Sequence, residues 1–196
     1  MKLASIREIF AIDLRTLALF RVLLGGFLIL DLALRARDIT AHYTDFGVMP
    51  RGVLIPYLSP GSFSLHMLNG TAAFQVALFV LAGFFALMLI AGWRTRCATF
   101  ASWVLLLSLQ NRNTQILSGE DNLVMLLLFW ALFLPLGARY AVDAALDKTS
   151  SAVPNGYLSV ATFALLIQGM SVYFFSALLK SDAMWIPDGT AVYYAL

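Results

Sequence analysis

Cysteine, histidine and charge are all scarce in this chain of 196 residues. Cys97 is the only cysteine, so no intrachain disulfide and no thiolate metal cluster can form. His42 and His66 are the only histidines, and they stand 24 positions apart without HxxxH or HxxE spacing. That spacing argues against a histidine metal site. Charged residues make up only 12% of the chain, about half the share of an ordinary soluble domain. The 13 Lys+Arg against 11 Asp+Glu give a formal charge of +2, with no basic stripe for nucleic acid. Internal repeats, low-complexity segments and the paired broken helices of a transporter are missing too, so the transport reading is weak. The opening MKLASIREIFAIDLRT carries charge too regularly for a cleaved signal peptide, and its apolar run leads straight into more membrane-type sequence.

What the chain has in excess is apolar surface. At 61% hydrophobic residues, against roughly 45–50% for soluble domains, it belongs in a bilayer. Spans of the length a bilayer needs are expected at about Thr16–Leu34, Ala72–Gly92, Ala98–Leu109, Leu123–Leu136 and Leu158–Leu179. The third is short and is expected to extend through Gln110 towards Leu117 inside a protein interior, and the fourth to begin before Asn122. Helix is forced, because lipid satisfies no backbone groups and the alternation of a barrel strand is absent. The predicted fold is therefore an all-α polytopic bundle of about five spans in one domain covering residues 1–196. Ahead of the first span, Ile6, Ile9, Phe10 and Leu14 share one face of a short interfacial helix. The longest connection, Arg35–Thr71, holds HYTDFGVMPRG and the turn SPGS, too ordered in character for a linker.

Orientation follows from the basic residues outside the spans. Seven fall on the N-terminal side (Lys2, Arg7, Arg15, Arg94, Arg96, Arg139, Lys148) and five on the other (Arg35, Arg37, Arg51, Arg112, Lys180). The excess places the N-terminus in the cytoplasm. The long first loop, NRNTQILSGED and Lys180 then share the external face.

Polar residues inside the spans are the candidates for chemistry. Arg21 lies roughly 7.5 Å into the first span at 1.5 Å per residue. It either snorkels to the surface or turns inward, where Gly25 one turn on would let a helix approach. Asp31 and Arg35 stand i,i+4, suited to a structural ion pair. Gln110, Asn111, Arg112, Asn113 and Gln115 form a polar patch that is either a solvated loop or the lining of a polar cavity. On the last span, Gly169, Tyr173, Ser176, Ala177 and Lys180 fall on one helical stripe, with Tyr173 and Lys180 about 10 Å apart. Gln168 is a further intramembrane polar group. Taken alone, Lys180 beside Trp185 reads as an interfacial anchor.

Six stretches in order resemble one family: DLRTLALFRVLLGGFLILD with Arg35, HYTDFGVMPRG, GWRTRC, SLQNRNTQILSGED, FWALFLPLG and YFFSALLKSDAMWIPDG. Together, from about Asp13 to Leu196, they resemble the HTTM (horizontally transferred transmembrane) domain of the vitamin K-dependent gamma-carboxylase family. The resemblance implies an integral protein of a bacterial-type cytoplasmic membrane with its site on the external face. It implies a carbon–carbon lyase chemistry in which Lys180 is the catalytic base and a reduced, vitamin K-type quinone the cofactor. Deprotonation of that quinol is coupled to its epoxidation and to carboxylation of a peptide glutamate. Tyr173, Ser176, Gln168 and Arg112 would line the quinone pocket, while Arg21, Asp31 and Arg35 would be structural. Burial in a low dielectric favours the free amine that a base must be.

A second function stays open: a non-catalytic membrane subunit, or a peptide-maturation factor of the same family, packed against a partner. The animal enzyme has two adjacent lysines where this chain reads Leu179-Lys180, and its functional histidine is replaced within SGEDNL. Family members also continue with more helices, so the 196 residues are expected to be truncated relative to them.

Overall fold

The structure is a computed structural model that describes residues 9–57, 61–147, 156–181, 184, 185, 189, 190 and 193. It is mostly helical, with eight α-helices among the described residues. The chain divides into two units, residues 12–157 and residues 1–11 with 158–196.

In the larger unit, α1 (Leu14–Ala36) starts at Asp13, whose carboxylate accepts from the Arg15 N–H at 2.7 Å. Its buried positions are Leu14, Leu17, Ala18, Arg21, Leu24, Gly25 and Leu28, a stripe with the 3- and 4-residue steps of a helix. The opposite face exposes Leu19, Leu23, Phe27, Leu30 and Leu34. A helix that hides its arginine and shows its leucines is turned inside out for water and right way round for lipid. After two short helices, α2 (Ile39–Tyr43) and α3 (Arg51–Leu54), the chain enters α4 (Ala72–Ala91). This helix packs on α1, and Gly25 faces Ala86 and Ile90 so closely that a methyl group there would overlap the Ile90 side chain.

Gly92, at φ 72°, ends α4 in the left-handed conformation and donates back to the Met88 and Leu89 carbonyls. The turn leads directly into α5 (Thr95–Arg112), which packs between α4 and α6 (Gly119–Ala131). On α5 the buried side chains include Thr95, Thr99, Ser102, Ser108 and Arg112, while Arg96 is exposed near its start. The helix breaks at Asn113 and gives way to a single 3-10 turn, Thr114–Ile116, rather than running on towards Leu117. Likewise α6 stops at Ala131, short of the expected Leu136. Pro135 disfavours helix at the residue before it, and the chain folds into successive turns instead. A short helix, α7 (Val142–Leu146), follows. Two residues at each end of the unit, Ile12–Asp13 and Gly156–Tyr157, pair antiparallel as β1 and β2 with Ile12 opposite Tyr157.

In the smaller unit, α8 (Val160–Leu179) begins with a reciprocal cap between Ser159 and Thr162. Phe10 meets Phe163 edge to face, with ring centroids 4.9 Å apart. Of the expected interfacial helix, Ile6 lies outside the described residues. Among the described residues three helices, α1, α4 and α8, are long and apolar enough to cross a membrane.

Candidate functional site

The residues expected to form a quinone site fall in different parts of the chain. Lys180 closes α8, its backbone N–H donating to the Ala177 carbonyl at 3.2 Å. Its amine lies 5.1 Å from the centre of the Trp185 ring, within range of a cation–π contact. Tyr173 and Ser176 are exposed on α8, and Gln168 is half-buried there. Arg112 belongs to the other unit, where it ends α5 and is wholly buried.

That larger unit holds a connected polar interior at the ends of its long helices. Arg35, near the end of α1, is its first hub. Its Nε meets both oxygens of Asp31 at 2.8 and 2.9 Å, one turn earlier on the same helix. Its two terminal nitrogens donate to the Tyr43 hydroxyl at 3.3 Å and to the Asp121 carboxylate at the start of α6. Asp121 also accepts from the Ser118 backbone at 2.8 Å, and its own carbonyl accepts from Gln110 at 2.9 Å. One guanidinium thus joins α1, α2 and α6.

Arg112 is the second hub, and it works on backbone. It donates to the carbonyls of Met49 at 3.0 Å and Thr44 at 3.2 Å, holding the first loop onto the end of α5. Asp45 comes within 4.0 Å of it but is claimed by Arg51, which grips both carboxylate oxygens at 2.7 to 3.0 Å. Hydrogen bonds from the Arg51 side chain and backbone hold the Asp45 carboxyl below the usual carboxylate range. Arg51 also donates to the Met67 and Leu68 carbonyls, at 3.1 and 2.9 Å, so the two arms of the loop are stitched together. Asn111 and Asn113 bind the loop carbonyls of Phe63 and His42. Within the polar patch, Asn111, Arg112 and Asn113 fasten the first loop, Gln110 holds the start of α6 and Gln115 is exposed.

A third group centres on His66, buried under Tyr43 and Phe79 with ring centroids 6.3 and 6.0 Å away. Its Nδ1 lies 2.6 Å from Gln75 Oε1. Burial pushes the imidazole below its ordinary range, which favours the neutral ring. Ser108 accepts from the Leu65 N–H at 2.7 Å, and its carbonyl accepts from Ser64 at 2.6 Å.

At the other end of the helices, Arg21 is 1% exposed and turns into the bundle, donating to the carbonyls of Leu136 at 3.2 Å and Tyr140 at 2.6 Å. Beside it, Asp143 caps the N-terminus of α5, accepting from the Arg94 and Thr95 N–H groups at 2.7 and 2.8 Å and from the Thr95 hydroxyl. Burial raises the Asp143 carboxyl, but those bonds outweigh it and the group stays below its ordinary range.

Tyr43, Asp45, Arg51, His66, Gln75, Ser108, Asp121 and Asp143 were not singled out by spacing. Only the order of HYTDFGVMPRG, with its aspartate six residues before an arginine, hinted at the Asp45–Arg51 pair. Chemically, these clusters bind and orient backbone, and among the described residues no three His, Cys, Asp or Glu side chains form a metal-binding group. Compared with known proteins, the chain matches no family model, no curated protein and no solved structure.

Proposed function

We propose that the chain is an HTTM-like, vitamin K-dependent gamma-carboxylase-like integral membrane protein, crossing a bacterial-type membrane five times with its N-terminus in the cytoplasm. The reading rests on α1, α4 and α8 as long apolar spans, with α5 and α6 as two shorter crossings that bury Thr99, Ser102, Ser108, Arg112 and Asp121. The seven-to-five split of basic residues supports the orientation. Cys97 is exposed near the start of α5, on the cytoplasmic side in this reading. A membrane-impermeant maleimide should leave it unmodified on intact cells and label it after permeabilisation. Labelling of intact cells would invert the topology.

In this reading Lys180 is the base that takes the proton of a reduced quinone. The observation that carries it is an amine ending a 20-residue apolar helix, with the Tyr173 and Ser176 hydroxyls at helical spacing before it. A quinol ring does not fit the small cavity that His66, Asp31 and Ser102 line. The cavity between α1, α4 and α5 is about 20 Å³, against roughly 300–1,000 Å³ for small-molecule sites. The open face of α8 accepts it, as a lipid-soluble ring would reach that face from the bilayer. When bound, the quinol, oxidised by dioxygen, would supply the strong base that removes a γ-proton from a peptide glutamate, and carbon dioxide would then add to the carbanion. Tyr173 and Ser176 would orient its hydroxyls, and Lys180 would hold the proton released.

The test is Lys180→Arg, assayed for quinol oxidation and epoxide formation. A guanidinium cannot serve as a base at working pH, so activity should fall by roughly 100-fold or more. Full activity in the arginine variant would sink the catalytic role. It would leave the second reading, a non-catalytic subunit or maturation factor, which has an observation of its own. Tyr173, Phe174, Phe175, Leu178 and Leu179 are all exposed on α8, as on a helix that meets a partner or lipid.

A further inference from the structure

We propose that the cavity between α1, α4 and α5 is a binding site for one water molecule, bridging His66, Asp31 and Ser102. All three residues line it, together with Leu28, Phe79 and Leu106 among others. Its volume of about 20 Å³ exceeds the roughly 10–15 Å³ that a single water needs.

The hydrogen-bond roles of the three polar groups can be worked out one from another. Gln75 Nε2 lies 2.9 Å from the His66 carbonyl and 2.7 Å from the Asn69 carbonyl. Carbonyl oxygens only accept, so that end of the amide is the NH2, and the oxygen faces His66 Nδ1. An amide oxygen 2.6 Å away must receive a proton, so Nδ1 carries the hydrogen. The neutral ring then presents Nε2 as an acceptor. Asp31 is engaged by a single Arg35 nitrogen, and each of its oxygens keeps a second lone pair for another donor. Ser102, only 4% exposed, has no hydrogen-bond partner for its hydroxyl among the described residues.

The sum is two acceptors and one donor around a space of one water. A water gives its two hydrogens to His66 Nε2 and Asp31 and accepts from Ser102, which makes the usual three bonds of a buried water. An apolar occupant would leave the Ser102 hydroxyl without a partner in the interior of the helices. The bridge adds a hydrogen-bonded link between His66 and Gln75 under the first loop and the Arg35 hub on α1 and α6. It stands independently of any role for Lys180.

X-ray hydroxyl-radical footprinting of the full chain in nanodiscs tests this, because bound water generates the radical in place. Leu28 and Leu106 should be oxidised at least several-fold faster than Leu14 and Leu24, which are as well buried but lie outside the cavity. Ser102→Val, which fills the space with methyl groups, should remove that excess. Rates equal to those of Leu14 and Leu24, or an excess that persists undiminished in Ser102→Val, would overturn the proposal. A second measurement uses the milder Ser102→Ala. If the hydroxyl binds water, its loss lowers Tm. A Tm unchanged or raised would show an unsatisfied hydroxyl in a dry cavity and would equally overturn it.

Discussion

Arg35→Met should destabilise the protein by about 3–5 kcal/mol, the usual cost of removing one partner from a buried ion pair. The side chain is nearly isosteric, so packing changes little, but Asp31 and Asp121 lose the cation between them. Both carboxylates are largely buried, and neither has another basic side chain in the ion pairs of the described residues. Thermal unfolding in a mild detergent measures the loss. Adding Asp31→Asn and Asp121→Asn to the methionine variant should recover part of it, since neutral amides no longer need a counter-charge. A loss of under about 1 kcal/mol would mean that water reaches the cluster and screens it as on a surface.

The second large effect is expected at Gly92. Its backbone is left-handed at φ 72°, where a β-branched residue is strained. The position is also filled: a Cβ there would run into the Arg21 guanidinium and the Ala141 methyl. Gly92→Val therefore combines backbone strain with eviction of a buried arginine from the carbonyls of Leu136 and Tyr140. The expected loss is about 3 kcal/mol or more, above the range of most point substitutions. Gly92→Ala should lie between the two. Unfolding midpoints that rank valine, alanine and glycine together would show that the turn yields without disturbing Arg21.

Much of the helical framework could be read from the sequence, and the reasons are local. Long apolar runs mark α1, α4 and α8 within two residues at each end, because length and composition alone determine such helices in lipid. The Asp31–Arg35 pair was legible because both partners sit on one helix, four residues apart. The polar interior was not. Asp121 lies 86 residues from Arg35, and Asp143 caps a helix 48 residues before it. No periodicity connects such positions; only the packing of α1, α4, α5 and α6 brings them together. The ends of α5 and α6 were misjudged for the same reason in reverse. Asn113 and Pro135 stop the helices by local geometry, where hydropathy alone would carry them on.

Arg112 has a consequence for the order in which the molecule is made. The carbonyls it secures, at Thr44 and Met49, leave the ribosome 68 and 63 residues ahead of it. Ser108, which fastens Leu65 and His66, likewise follows them by 43 and 42 residues. The first two long helices, α1 and α4, are thus made while their connecting segment is unfinished. That segment takes its final shape only when the third long helix arrives beneath it, so translation imposes a wait during which those carbonyls have only solvent for company.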